Sequence, residues 1–288
     1  MKVVVIGGTG HIGRFLVRRL IENGDEAVVL SSGQTPGDAL GAKLVALPYY
    51  EMFSDGSFDE LLASEKPDAV VDILQGNTPA VYAACETAGV DQLVCCGSIW
   101  MFGRARVVPT PETPQSLCPY DVYQTRFEQL ADTIRLSLLG NISVSAIMPP
   151  NICGPGKVPL EGHGGRSLDV HKAHRDGKEV ILPFPGTNLL GPCDADDVAQ
   201  GFFCALKNPE VAAGQIFNVG SAYALTIEEF IKTYADIYDT NIPIRFVEPT
   251  EFIRDVLPDD GANFHFTAHM CPDVSNAYFG KSDRSFRF

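Results

Sequence analysis

The chain has 288 residues, 45% of them hydrophobic, which is enough to bury a large core, and it lacks any run of about 18 apolar residues that would cross a membrane. A formal net charge of −14 with no basic stripe repels phosphate backbones and argues against a nucleic-acid partner. Eight cysteines lie scattered without CxxC or another metal spacing, and the opening MKVVVIGGTG has one lysine and too short an apolar run for a signal peptide, so a cytoplasmic protein with reduced thiols is expected.

The apolar run over 3–6 predicts a strand covered on both faces. A helix from about 12 stops at Asn23-Gly24, where a left-handed cap costs little, and strands at 27–30 and 43–47 follow. Ser57 and Glu60 have the spacing of a capping box for a helix through about 64, and 68–74 gives a fourth strand. Thr78-Pro79 opens the next helix, Gly89 ends it, and 92–96 is the fifth strand. A helix over about 120–139 is closed by Gly140, and 142–148 supplies a sixth strand. Strands alternating with helices imply an α/β fold with a doubly wound parallel sheet, here spanning residues 1–155.

Beyond Asn151 the pattern loosens into Gly- and Pro-rich segments. It predicts helices near 167–176 and 195–207, strands near 179–183 and 216–219, a helix capped by Thr226 with Glu229, and a strand at 244–247. Residues 156–288 are expected to form a smaller substrate lobe partly interleaved with the end of the sheet.

Gly7, Gly10 and Gly13 fall between the first strand and an amphipathic helix. That context needs residues without a Cβ, so that backbone N–H groups approach a diphosphate at the positive helix end. The end of the second strand reads VVLSSGQTP: Ser31 and Ser32 offer no carboxylate for the ribose hydroxyls of NAD, and no arginine follows to grip the extra phosphate of NADP. NAD and NADP both stay open.

PYDVYQTRFE, residues 119–128, sets two tyrosines at the head of a helix. Tyr123, Phe127, Leu130, Ile134 and Leu138 recur at three- and four-residue steps as a core stripe, which makes Tyr123 a packing residue. Tyr120 lies at the edge of that stripe, with Gln124 and Glu128 following at four-residue steps, and is the better candidate for proton chemistry.

With these motifs the chain resembles the extended short-chain dehydrogenase/reductases, and within them the NAD-dependent epimerase/dehydratase family. The resemblance runs from residue 1 to about 238. It rests on GGTGHIG at 7–13, CCGSIWMFG at 95–103, PYDVYQTRFE, IMPPNICGPG at 147–156, and DADDVAQGFFCAL with GQIFNVGS further on. It implies a Rossmann core binding NAD or NADP, hydride transfer on a sugar or nucleotide-sugar, and a homodimer through the helices near 78–88 and 119–139. Cofactor contacts are implied for Gly7, Thr9, Gly10, His11, Ile12 and Gly13, then for Ser31, Ser32, Gln75 and Pro149. Trp100 and Asn151 are implied to border substrate. The short segment before Thr78 and the short tail after Gly280 point to a substrate smaller than a full nucleotide-sugar.

The family's catalytic trio maps onto Ser98, Tyr120 and Gln124, where a lysine is usual at the last position. A free phenol titrates near 10, so roughly one molecule in a thousand is ionised at pH 7. An ammonium about 5 Å away at an effective dielectric near 20 favours the phenolate by roughly 3 kcal/mol, about two pK units. Gln124 supplies no such charge. Either the cofactor's own positive charge assists Tyr120, or a lysine enters from elsewhere, or the fold binds a dinucleotide or an RNA without turnover, as some family relatives bind RNA. Tyr49 and DILQGN at 72–77 also depart from the family pattern.

Asp196-Asp197 has the position of a helix cap rather than of a metal pair. His163, His171 and His174, and separately His265 and His269, lack a partner carboxylate of known position and favour substrate contact over metal; no metal site is expected.

Overall fold

In the computed structural model, which describes residues 1–33, 40–103, 107, 110–114, 116–118, 120–162 and 164–256, the first strand sets the layering of the whole core. That strand, β1 (Lys2–Ile6), turns Val3 and Val5 to one face of the sheet and Val4 and Ile6 to the other, each into a dry cluster. The elements that follow are α1 (Gly13–Glu22), β2 (Glu26–Ser31), β3 (Lys43–Ala46), α2 (Glu51–Ser54), α3 (Ser57–Glu65), β4 (Ala69–Asp72) and α4 (Thr78–Ala88). Next come β5 (Gln92–Cys96), a 3-10 turn over Ile99–Phe102, α5 (Asp121–Ser137) and β6 (Ser143–Met148).

The second part of the chain contributes β7 (Ile152–Cys153), α6 (Leu168–Arg175), β8 (Val180–Pro183), β9 (Leu189–Leu190), β10 (Cys193–Asp194) and α7 (Ala195–Lys207). After these lie α8 (Pro209–Ala212), β11 (Ile216–Asn218), β12 (Leu225–Thr226), α9 (Ile227–Tyr238) and β13 (Ile244–Val247).

Seven strands form one sheet in the order β11-β6-β5-β4-β1-β2-β3, and every pairing is parallel. The order reverses between β1 and β4, which opens a crevice at the carboxyl ends of the strands. One face is covered by Met52, Phe58, Leu62, Val81, Leu130 and Ile134 from α2 to α5. The other is covered by Leu16 and Leu20 of α1 and by Val198 and Phe202 of α7. The Arg19–Asp196 ion pair at 2.8 Å and Lys207–Asp25 at 2.6 Å tie α7 to the α1 side. Both α7 and β11 therefore return to the core after the chain has begun the smaller lobe.

That lobe has its own cluster of Leu160, Leu182, Leu190, Ile227, Phe230 and Phe252, built on the parallel β8–β13 pair. The expected capping box at Thr226 and Glu229 is present with both of its reciprocal hydrogen bonds.

Two expected caps fall elsewhere. The box at Ser57 and Glu60 does not form: Gly56, with φ at 77°, caps α3, and the Asp55 carboxylate accepts from the Ser57 N–H and hydroxyl at 2.9 and 2.6 Å. A residue whose backbone is already helical cannot turn its side chain back to cap its own helix. For the same reason Asp196 and Asp197 lie in the first turn of α7 while Asp194 caps it, accepting from the Asp196 N–H at 2.8 Å. The expectations placed on His163, His265, His269 and the tail after Gly280 lie outside the described residues.

Candidate active site

The β1–α1 turn is built by contact. A Cβ on Gly13 would stand 2.6 Å from the Gly8 Cα, and one on Gly8 would stand 2.8 Å from a methyl of Val29, so helix, turn and strand meet at backbone distance. Gly7 takes φ of +84° and donates to the Leu30 carbonyl at 3.0 Å, which anchors the turn to β2. Ile12 caps α1 without a side-chain bond, and no acidic residue occupies the first turn. The Gly10 N–H donates to the Gly7 carbonyl at 2.9 Å, while the Thr9, His11 and Ile12 amides at this positive end make no hydrogen bond among the described residues and can meet an anion. His11 holds the Gly154 carbonyl through Nε2 at 3.2 Å, and burial keeps its imidazole below the ordinary histidine range. Ser31 ends β2 and accepts from the Gly33 N–H at 3.3 Å, and Ser32 beside it is exposed.

The β4–α4 turn is fixed by a buried pair. Asp72, at 1% exposure, accepts from the Tyr49 hydroxyl at 2.8 Å and from the Leu74 N–H at 2.9 Å. The same Tyr49 oxygen accepts from the Gly76 and Asn77 amides at 3.1 and 2.9 Å. Burial pushes both groups above their ordinary values, so the carboxylate and its donor phenol hold one another in place. Gln75, in this turn, takes φ of +58°. Its Nε2 donates to the Gly97 carbonyl at 2.7 Å, while its Oε1 is buried without a hydrogen-bond partner among the described residues.

These turns border a cavity of about 410 Å³, lined by Gly7, Gly10, His11 and Ile12 at one end and by Ser98, Trp100, Tyr123, Pro149 and Asn151 beyond Gln75. The Ser98 oxygen accepts from the Trp100 N–H at 3.3 Å, and the Trp100 ring meets Tyr123 edge to face at 6.0 Å. Asn151 gives its carbonyl to the Cys193 N–H at 2.9 Å, while its side-chain Nδ2 is buried with no partner among the described residues.

The two candidate phenols separate here. Tyr120 caps α5 with extended backbone and lies 5.8 Å from the Tyr123 ring; burial, then the neighbouring Tyr123 and Cys118, raise its pKa. It is not among the residues lining the cavity, and Tyr123 is. Tyr123 packs against the core as its spacing predicts and also presents a surface to the cleft. Gln124 donates through Nε2 to Glu128 at 3.1 Å, in an exposed pair on the outer side of α5.

Three cations that the sequence did not single out also line the cavity: Arg126, Lys157 and Arg166. No carboxylate among the described residues forms an ion pair with any of them. Arg166 donates to the carbonyls of Val158 and Ile152, and burial lowers its pKa. Lys157 follows the GPG turn and Arg126 stands three residues after Tyr123, two adjacencies that were visible in the sequence. His171 and His174 are packed with Tyr234 and Tyr238 in the smaller lobe and do not line the cleft.

The residues present fit a dinucleotide. The turn offers backbone donors without a Cβ in the way, and Gln75 and Asn151 contribute one buried acceptor and one buried donor that lack partners in the protein.

The model of the NAD dependent epimerase/dehydratase family matches residues 3–82 and 75–220. A UDP-glucose 4-epimerase of Streptococcus mutans is 35% identical over 282 residues, covering 84% of this chain and 83% of the relative. A chloroplast stem-loop binding protein of Arabidopsis thaliana is 24% identical over 250 residues, 81% of this chain and 62% of its own. Among solved structures, a UDP-glucose-4-epimerase of Stenotrophomonas maltophila, described with bound NAD and formylated UDP-arabinopyranose, superposes with a TM-score of 0.69 at 19% identity, covering 86% of each chain. The matched span, the strand order and the glycine turn agree, and the chain belongs to the NAD-dependent epimerase/dehydratase family.

Proposed function

We propose that the protein is a nicotinamide-dependent oxidoreductase or epimerase acting on a sugar carried as a nucleotide-sugar or other phosphate ester. The observation that carries this reading is the convergence, on one cavity, of the glycine turn, Ser98, a tyrosine of α5 and three cations without carboxylate partners among the described residues. When bound, the nicotinamide dinucleotide serves as hydride acceptor and donor.

The amides of Thr9, His11 and Ile12, in the turn that Gly7 and Gly10 shape, hold its diphosphate, and Gln75 Oε1 and Asn151 Nδ2 take hydroxyl and amide groups deeper in the cleft. Ser98 orients the substrate oxygen, and an α5 phenol moves its proton. Arg126, Lys157 and Arg166 favour an anionic substrate in a chain whose net charge of −14 would otherwise repel one. That consideration weighs against the smaller, neutral sugar that the short segments suggest. Pairing of two copies through α4 and α5 belongs to the same reading, supported by exposed Val122, Leu136, Leu138 and Leu139 on and just after α5.

The test is turnover of UDP-glucose, and of a panel of nucleotide-sugars, with NAD and with NADP. Loss of all turnover alongside intact dinucleotide binding would favour a second reading, a binding protein without catalysis. Gln124 in the lysine position and the Arabidopsis relative motivate that alternative. Filter binding of a stem-loop RNA at low salt checks it: a steep salt dependence supports it, and no retention removes it.

A further inference from the structure

We propose that Tyr123 rather than Tyr120 takes the proton of the substrate hydroxyl, and that the Arg126 guanidinium, three residues on along α5, stands in for the lysine that the Gln124 position lacks. The proposal rests on the oxidoreductase reading above and names the proton-transfer group of that site.

Placement carries it first. Tyr123, Arg126, Ser98 and Trp100 line one cavity together with the glycine turn, and neither Tyr120 nor Gln124 does. The Gln124 amide is engaged with Glu128 in an exposed pair, so nothing at the family's lysine position reaches the cleft. Tyr123 is held by its edge-to-face contacts with Trp100 at 6.0 Å and Tyr120 at 5.8 Å, which fix its ring without using its hydroxyl.

Helix geometry adds the charge. Residues three apart on a helix have Cβ atoms about 5–6 Å from each other, so Arg126 faces the same side as Tyr123. Burial raises the Tyr123 pKa, and the Arg126 charge works in the opposite direction, with Cys118 a smaller raising influence. Tyr120 has only raising influences: burial, Tyr123 and Cys118. The other charged or titratable groups near this pair are Asp72, which also feels the Arg126 charge, and His11, Lys157 and Arg166 along the cavity wall. Arg126 acts through Tyr123 and is a positioning residue.

In the oxidative direction the substrate O–H proton passes to the Tyr123 oxygen, and the electron pair it leaves forms the carbonyl. The carbinol C–H bond breaks with its electron pair, which departs as hydride to the oxidised nicotinamide dinucleotide. In the reverse direction the Tyr123 hydroxyl returns the proton as the carbonyl is reduced.

The experiment uses the full chain with its tyrosines replaced by difluorotyrosine, whose phenol ionises at lower pH than tyrosine, and follows each ring by fluorine NMR. Tyr120→Phe and Tyr123→Phe assign the two resonances. Expected is that Arg126→Gln raises the Tyr123 midpoint by about one pH unit while Tyr120 moves by much less, and that Arg126→Lys restores it. A larger movement of Tyr120, or no movement of either, overturns the proposal. Turnover of UDP-glucose is the second arm. Tyr123→Phe keeps the ring packing and is expected to lower kcat at least about hundredfold more than Tyr120→Phe does, whereas the opposite ranking overturns the assignment. A wild-type chain that turns over no nucleotide-sugar removes the oxidoreductase reading, and this proposal with it, whatever the NMR shows.

Discussion

The Tyr49 hydroxyl donates to the Asp72 carboxylate at 2.8 Å, where β4 ends and the candidate cleft begins. Because the same oxygen accepts from the Gly76 and Asn77 amides, one phenol joins the third strand's exit, the fourth strand's last residue and the turn that carries Gln75. Tyr49→Phe leaves a buried carboxylate short of a donor and two amides without their acceptor. A loss of about 2–4 kcal/mol in stability is expected. Urea unfolding measures it; a loss below about 0.5 kcal/mol would show the pair to be dispensable.

The glycine turn gives a sharper case. Gly13→Ala places a methyl 2.6 Å from the Gly8 Cα, a backbone atom with no rotamer to escape into. The turn must open, at a cost of about 1–3 kcal/mol, and the amides lose their common aim. A folded Gly13→Ala protein with at least about a hundredfold weaker NAD binding is expected, and calorimetry against wild type checks it.

Gln75 is expected to matter for binding more than for folding. Gln75→Ala removes the bond to the Gly97 carbonyl and the buried Oε1 that has no protein partner. Dinucleotide affinity should fall about tenfold, equivalent to about 1.4 kcal/mol, with a small change in the unfolding midpoint. Unchanged affinity would place the cofactor's sugar away from this side chain.

His11 supplies a pH dependence with a definite sign. Burial lowers its pKa in the folded chain below the ordinary histidine value, so the unfolded chain binds the proton more readily. The contribution of neutral His11 to stability is full above that value and is lost as the pH falls through the unfolded pKa toward the lower folded one. Wild type should therefore lose stability relative to His11→Gln between pH 7.5 and pH 5.5, as thermal unfolding at the two pH values would show. A bound diphosphate should oppose the shift by favouring the charged imidazole.

Much of this was legible in the sequence. The strand at Gln92–Cys96, the helix at Ala195–Lys207 and the strand at Ile244–Val247 lie where their periodicity places them, because burial imposes that periodicity directly. The Thr226–Glu229 box was legible because Thr226 keeps extended backbone. Ser57 and Asp196 do not cap their helices, because the backbone angles of Gly56 and Asp194, not side-chain chemistry alone, decide which residue does. The convergence of Arg126, Lys157 and Arg166 depends on how a helix, a turn and a loop meet, and no local pattern encodes it. The Tyr49–Asp72 bond, 23 positions apart along the chain, was hidden for the same reason.

Calorimetric titration of the wild-type chain with NAD and with NADP probes the glycine-turn cleft most directly. One saturable binding event with at least one of the two, abolished by Gly13→Ala, is the expected result. Absence of heat with both, from a chain shown to be folded, would contradict a dinucleotide site at this turn.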